Sequence, residues 1–407
     1  MGDFGDELAR LMAARGLGVR ELARRVPCNP GYISSLRSGG KQPSAVLAER
    51  LDDVLAGGGS LAALVRKSEP GERAVLDELV GQAVEFGQWT ETTNVGPGTI
   101  EQLDEEIQQI ARDYLTLPPG PLISRASQVS RRVFGLLRGH QRLRYRRDLY
   151  VIGAKASAFL AWAAGDQWQL PAAAAQGRAA LILADEADHA GARGLALCAL
   201  SKTAFWEGRR QKARDLAREG YDDCPPTSTR VLLACQEADA SGLPAAHEAM
   251  GRAVSAAGEI AQDDALAGVF GCGQVRLANY LMGIYLRAGE SGAALKAASH
   301  AAECGPGEQV GYGTWAQISI GAGIAHLRAG ELEGAAEQFA PVLALPPDRR
   351  LATLTSRLGA VVPMLSAAPY GREGRAAGLA EQIGVYCREA ASTRMLALRQ
   401  MGDGGRG

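Results

Sequence analysis

Residues 18–44, GVRELARRVPCNPGYISSLRSGGKQPS, decide how the start of this 407-residue chain folds. Leu22, Ala23 and Val26 share one helical face at i, i+1 and i+4, and Ile33 and Leu36 share another at i and i+3. Two short helices carrying these faces can pack on each other. Between them Pro27 ends the first helix, Asn29 is a good N-cap, and Pro30 suits the first helical position of the second. The spacing predicts helices over residues 19–26 and 30–38. Gly39-Gly40 then closes the second, and Pro43-Ser44 opens another whose apolar residues are Val46, Leu47, Leu51 and Leu55. Upstream, Phe4, Leu8, Leu11 and Met12 form the stripe of a first helix that ends near Gly16.

This arrangement resembles the DNA-binding domain of the XRE family, the phage-repressor-like helix-turn-helix regulators, over roughly residues 4–65. The family's pattern falls without a gap on Leu22-Ala23, Asn29, Ile33-Ser34 and Gly39. Three positions depart from it: a usual phosphate-binding Gln is Val19, the turn Gly is Pro27, and a frequent Glu of the recognition helix is Arg37. The resemblance implies that the second helix of the motif lies in the major groove with its N-terminal residues towards base edges. The groove-facing positions are then Asn29, Pro30, Gly31, Tyr32, Ser34, Ser35 and Arg37. Base readout is expected from Asn29, Ser35 and Arg37, with Tyr32 in contact with a thymine methyl or a phosphate. Arg20, Arg24, Lys41 and Gln42 are expected to clamp the DNA backbone.

Charge agrees with this expectation. Residues 1–67 carry ten Lys and Arg against seven Asp and Glu, whereas the remaining 340 carry 34 against 38. Within residues 18–41 the balance is five basic to one acidic, which concentrates positive potential on the expected DNA face. So modest a charge on one head predicts weak binding alone. Two heads on two half-sites supply the missing affinity, so a homodimer on a palindromic double-stranded DNA operator is expected.

The rest of the chain is long enough for a sizeable core. Aromatic residues make up only 5%, Ala is abundant, and apolar residues recur at helical spacing through nearly all of it, so the fold class is all-α. No apolar run approaches the length of a membrane span, and the N-terminus begins with Asp3, Asp6 and Glu7 rather than a basic and apolar leader. Seven cysteines without C-x-x-C pairs point to reduced thiols and a cytoplasmic protein, with Cys28 a core residue. After Gly57-Gly58-Gly59-Ser60, the residues Leu61, Leu64 and Val65 suggest one more short helix closing the head. A hinge is expected at residues 66–71, RKSEPG, placing the DNA-binding domain at 1–67 and connecting helices at 68–116. Those helices are expected over residues 72–89 and 99–115, the second opened by a capping box at Thr99-Ile100-Glu101-Gln102. They are candidates for coupling the domains and for dimerisation.

Internal similarity sets the architecture of the remainder. YLRAGESGAALKAASHA, from Tyr285, recurs as HLRAGELEGAAEQFAPV, from His326, at an offset of 41 residues. The second copy resembles a tetratricopeptide repeat, a helix pair with Gly323 in the first helix, Gly330 at the turn, Ala335 and Phe339 in the second helix, and Pro347 after it. Further turns are expected at Gly289, Gly208, Gly165 and Gly242. The resemblance implies a tetratricopeptide-like superhelix over residues 117–400, followed by a disordered tail at 401–407. Such a superhelix presents a concave groove to a signal peptide or small-molecule effector. Candidate groove residues are Trp162, Trp206, Asn279, Tyr280, Trp315 and Gln317. Seven arginines in the 17 residues 131–147, with His140 and Tyr145 among them, form a surface for an anionic ligand, for DNA, or simply for water.

Apparent catalytic motifs fail on their context. Asp185-Glu186-Ala187-Asp188-His189 spells an acidic box, but the chain has no G-x-x-x-x-G-K-[ST] loop. Gly268, Gly271 and Gly273 match a dinucleotide loop by letters only, with no preceding strand pattern. The five histidines are isolated, so neither enzyme, metal site nor cofactor is expected. The expectation is a DNA-binding transcriptional repressor whose repeat domain binds a signal, of the kind found in actinobacteria with their GC-rich genomes. The alternative is a protein-interaction scaffold whose head docks a protein partner.

Overall fold

A computed structural model describes residues 3–68, 72–305 and 308–403. Every regular element among the described residues is a helix, as the apolar periodicity requires. The chain forms two compact units, Met1–Glu91 and Thr92–Gly407.

The first unit begins with five helices: α1 (Asp3–Ala14), α2 (Val19–Arg25), α3 (Pro30–Arg37), α4 (Ala45–Leu55) and α5 (Ser60–Ser68). Their inner faces make one core in which Leu8, Leu22, Ile33, Leu36, Leu51 and Leu61 are fully buried. The start of α3 follows from two residues: the Gly31 N–H donates to Asn29 Oδ1 at 2.7 Å, and Pro30 occupies the position where a free N–H is not needed. Ser44 caps α4 in the same way, accepting from the Leu47 N–H at 3.3 Å. Asp52 is buried and accepts from the N–H groups of Leu61 and Ala62, at 3.1 and 2.8 Å, so it ties the start of α5 to α4. Val46, expected among the apolar residues of α4, is exposed; Ala48, Leu51 and Leu55 lie at i, i+3 and i+7 and turn that position outwards. The expected hinge is partly helix, since α5 continues to Ser68, and its residues 69–71 lie outside the described residues. A sixth helix, α6 (Glu72–Glu91), carries exposed Leu79, Val80, Val84 and Phe86.

The second unit is an array of helix pairs. It opens with α7 (Pro97–Asp113) and α8 (Pro119–Leu137). Gly96 is the N-cap of α7 and Pro97 its first residue, so the helix starts two residues before the expected Thr99 box. Then come the pairs α9 (Leu143–Asp166) with α10 (Leu170–Glu186), α11 (Ala190–Trp206) with α12 (Arg210–Asp223), and α13 (Ser228–Ala240) with α14 (Leu243–Gly258). They are followed by α15 (Gln274–Ala288) with α16 (Ser291–Cys304) and α17 (Tyr312–Ala329) with α18 (Leu332–Leu343). The short helices α19 (Ala352–Gly359) and α20 (Val362–Ser366) pack against the closing helix α21 (Gly374–Asp403). Of the expected tail, Met401, Gly402 and Asp403 belong to α21, and residues 404–407 lie outside the described residues.

The recurring sequence has a recurring structural role. Gly289 and Gly330 both end a first helix in the left-handed region, at φ +81° and +86°. The next N–H in each copy reaches back, Glu290 to the Tyr285 carbonyl at 2.8 Å and Glu331 to the His326 carbonyl at 2.9 Å. Arg287 and Arg328, at equivalent positions, donate to carbonyls at the end of the preceding first helix, Ala238 and Asp239 for one and Leu286 for the other. Gly323 lets α17 and α18 cross closely, because a Cβ there would sit 2.3 Å from the fully buried Phe339 ring. The turn expected at Gly165 falls instead at Trp168, with φ +62°, because the apolar face of α9 continues to Asp166. Gly242 sits at φ −67° as the N-cap of α14.

The array curls back on its own beginning. The Tyr312 N–H at the start of α17 donates to the Leu115 carbonyl after α7 at 3.0 Å, and α19 packs against α9. Helix α7 is fixed beneath by Lys155 of α9, whose ammonium meets Asp104 at 2.6 Å, and by the close approach of Gly268 to the Ala111 carbonyl.

Candidate functional site

In the first unit, burying Leu22, Ala23 and Val26 against Ile33 and Leu36 fixes which side chains α2 and α3 leave outside. Arg20, Arg24, Asn29, Ser34, Arg37, Lys41 and Gln42 are exposed, and Tyr32 and Ser35 are half-buried. The exposed residues differ in how free they are. Arg20 and Arg37 make no hydrogen bond or ion pair among the described residues. Arg24 is paired with Glu21 at 2.7 Å, and the same carboxylate takes Arg25 at 3.2 Å. Asn29 spends its carbonyl oxygen on the helix cap, which leaves its amide N–H groups available. Ser35 Oγ donates to the Gly31 carbonyl at 3.0 Å, so its hydroxyl can offer a partner only its lone pairs. Tyr32 donates to the Gln42 carbonyl at 3.1 Å, and the Lys41 ammonium lies 5.4 Å from its ring centre. These contacts hold the segment after α3 against the helix. The surface that remains is one unengaged guanidinium on α3, one on α2, and a few hydroxyl and amide groups between them.

The second unit contains a cavity on the inner side of its array. Its walls come from the first helix of successive pairs: Trp162 and Asp166 at i and i+4 on α9, Lys202 and Trp206 at i and i+4 on α11, Gln236 and Asp239 at i and i+3 on α13, and Arg276, Asn279 and Tyr280 on α15. Tyr312 and Gln317 of α17 and Thr353 and Arg357 of α19 complete it. The structure thus brings Trp162, Trp206, Asn279, Tyr280 and Gln317 to one place. Trp315 lies elsewhere, its ring against Gly305 and the packing between α15, α16 and α17.

Polar contacts order the cavity floor. Lys202 Nζ is 2.8 Å from Asp166 and 3.8 Å from the Trp162 ring centre, and Arg276 lies over the same ring at 5.1 Å. Burial lowers the Lys202 pKa to about 8, with Asp166 opposing that shift. The Tyr114 hydroxyl donates to Asp166 at 2.9 Å, and burial pushes its pKa well above the ordinary tyrosine value. The Tyr312 and Tyr280 hydroxyls are pushed up for the same reason. Lys202, Asp166, Arg276, Tyr312 and Arg357 were not among the residues singled out in the sequence. One signal was present: Lys202 is the only charged residue from Gly194 to Trp206, on a mostly apolar and largely buried stretch.

Elsewhere in the second unit, sequence motifs serve structure. His189 caps α11, accepting from the Ala192 N–H at 3.0 Å, and Asp185 pairs with Arg193 at 3.0 Å. Of the arginine run, Arg147 donates to the carbonyls of Ala187 and Asp188 at 2.8 and 3.1 Å, and Arg144 packs on Tyr145. Arg131, Arg132, Arg138 and Arg146 are exposed. None of the seven cysteines is joined in a disulfide among the described residues. Among the described residues no group of three or more His, Cys, Asp or Glu is placed to hold a metal ion, and no helix is long and apolar enough to cross a membrane.

Residues 3–65 match the family model described as a helix-turn-helix domain. Comparison with curated proteins gave no match. The first unit therefore carries a helix-turn-helix domain, the module by which DNA-binding regulators hold their operators, and a helical repeat-like array forms the second.

Proposed function

We propose that this chain is a sequence-specific transcriptional repressor of the XRE kind, working as a homodimer on a palindromic operator. The observation that carries the reading is the division of α2 and α3 into a buried seam and an outer face on which Arg37 and Arg20 stand without partners. A guanidinium with no internal bond is free to make a bidentate contact with guanine or phosphate. In this reading Arg37, Asn29, Ser34 and Ser35 meet base edges, and Arg20, Arg24 and Lys41 meet phosphates, Arg24 after leaving Glu21. The array acts as a tetratricopeptide-like sensor whose occupied cavity changes operator affinity, and the chain works by binding rather than catalysis.

Footprinting on an operator selected from random duplexes tests this. Arg37→Ala is expected to cost about 1–3 kcal/mol and relax selection at particular bases, while Arg20→Ala weakens all duplexes alike and lowers the salt dependence. If neither variant alters DNA binding, the exposed face serves another partner and the scaffold reading takes its place.

A further inference from the structure

The charges inside the array cavity do not balance. Lys202, Arg276 and Arg357 enter it from α11, α15 and α19, against Asp166 and Asp239 from α9 and α13. Asp166 is taken up by Lys202 and the Tyr114 hydroxyl, and Asp239 by Arg287 at 2.6 Å. Arg276 has only the carbonyls of Val269 and Gly271, at 2.6 and 2.8 Å. Arg357 makes no hydrogen bond or ion pair among the described residues. Two guanidinium groups therefore face one cavity with no carboxylate joined to either.

Three buried polar atoms on the same wall also lack a partner: Asn279 Oδ1, the Tyr312 hydroxyl and Thr353 Oγ1. Asn279 and Thr353 are 6% and 2% exposed. Buried polar groups are ordinarily satisfied, and several orphans on one cavity wall mark a place where a molecule belongs. Trp162, Trp206 and Tyr280 bring aromatic rings to the same cavity. The empty space within these walls, the open mouth included, is about 920 Å³. Because Tyr312 bonds back to Leu115 and α19 packs on α9, the inner face is closed on itself instead of open along its length to a peptide.

We propose that this cavity binds a small organic anion, a carboxylate or phosphate monoester on a planar apolar body, with the acid group on Arg357 and Arg276 and the body against the aromatic side chains. The proposal deepens the sensor role stated above and rests on it only for what binding controls.

Isothermal titration of the full chain with 2-naphthoate, 2-naphthyl phosphate, neutral 2-naphthalenemethanol and cationic 2-naphthylmethylamine tests it. At least one acid is expected to bind about tenfold or more tighter than the alcohol or the amine, and the stronger of the two acids tells carboxylate from phosphate. Arg357→Gln is expected to lose about tenfold in affinity for that acid and leave the alcohol unchanged, with an unaltered melting curve because Arg357 holds nothing else. The proposal is overturned if the alcohol or amine binds as well as the acids, if Arg357→Gln changes nothing, or if neither acid saturates by about 1 mM. Operator affinity, measured separately, keeps the two readings apart. Acid binding that leaves it unchanged supports the site and contradicts the sensor role, whereas intact operator binding without acid binding removes the site alone.

Discussion

Lys202 shows how burial converts one side chain into a titrating group near neutral pH. Burial lowers its pKa to about 8, below the value of about 10.4 for an exposed lysine, so the unfolded chain holds its proton more tightly than the folded one. Its contribution to stability therefore rises as pH climbs from about 8 to about 10, and below about 8 the cost of burying the charge is fully present. The charged groups facing it are Asp166 from α9, Asp239 from α13, Arg276 from α15 and Arg357 from α19. For an acid bound in the cavity the sign is opposite, since Lys202 adds attraction only while protonated. Titration with the tighter naphthyl acid is expected to show affinity falling severalfold from about pH 7 to about pH 9; a flat profile would exclude Lys202 from the acid subsite. Asn29 makes a related point in the first unit. Its type and position announce an N-cap in the sequence, and the structure confirms that bond, which restricts what the same side chain can offer DNA. The partnering of Arg24 with Glu21 was within reach of the i, i+3 spacing on α2.

At the scale of elements, the pattern of small residues carried most of the architecture. Gly323, Gly330, Ala335 and Phe339 announced a close helix crossing and a tight turn, and all four take those places. Where the sequence misled, tertiary packing outranked a local signal. Gly165 lies inside α9 because that helix stays buried up to Asp166, and the left-handed turn falls to Trp168. Val46 looked like core by type, but the register set by Ala48, Leu51 and Leu55 turns it outwards. The cavity was half legible. Aromatic and amide residues could be chosen by type, but the charges that give it chemistry come from five separate helices, α9, α11, α13, α15 and α19, and only the curl of the array shows that they converge. A pair of glycine variants tests this packing. Gly323→Ala forces a Cβ onto the Phe339 ring, which the core holds in place, and is expected to destabilise the second unit by about 1–3 kcal/mol. Gly283→Ala, at a helical site in α15 with nothing within 4 Å, is expected to stabilise it by about 0.5–1 kcal/mol. Urea unfolding followed by far-ultraviolet circular dichroism reads both, and equal effects would contradict the close crossing.

For the whole molecule, division of labour follows from composition and packing. Residues 1–67 carry a net charge of +3, so a nearly neutral chain keeps its positive balance in the helix-turn-helix domain itself, while the array encloses a cavity lined by charges that lack full partners. The central claim is that the outer face of α2 and α3 reads DNA. Fluorescence anisotropy of the full chain, titrated against a selected operator and a scrambled duplex at several salt concentrations, tests it most directly. The account predicts binding that weakens steadily as salt rises, with the operator held about 10³-fold or more tighter than the scrambled duplex at physiological salt. Equal affinity for the two duplexes, or no salt-dependent binding to either, would contradict it.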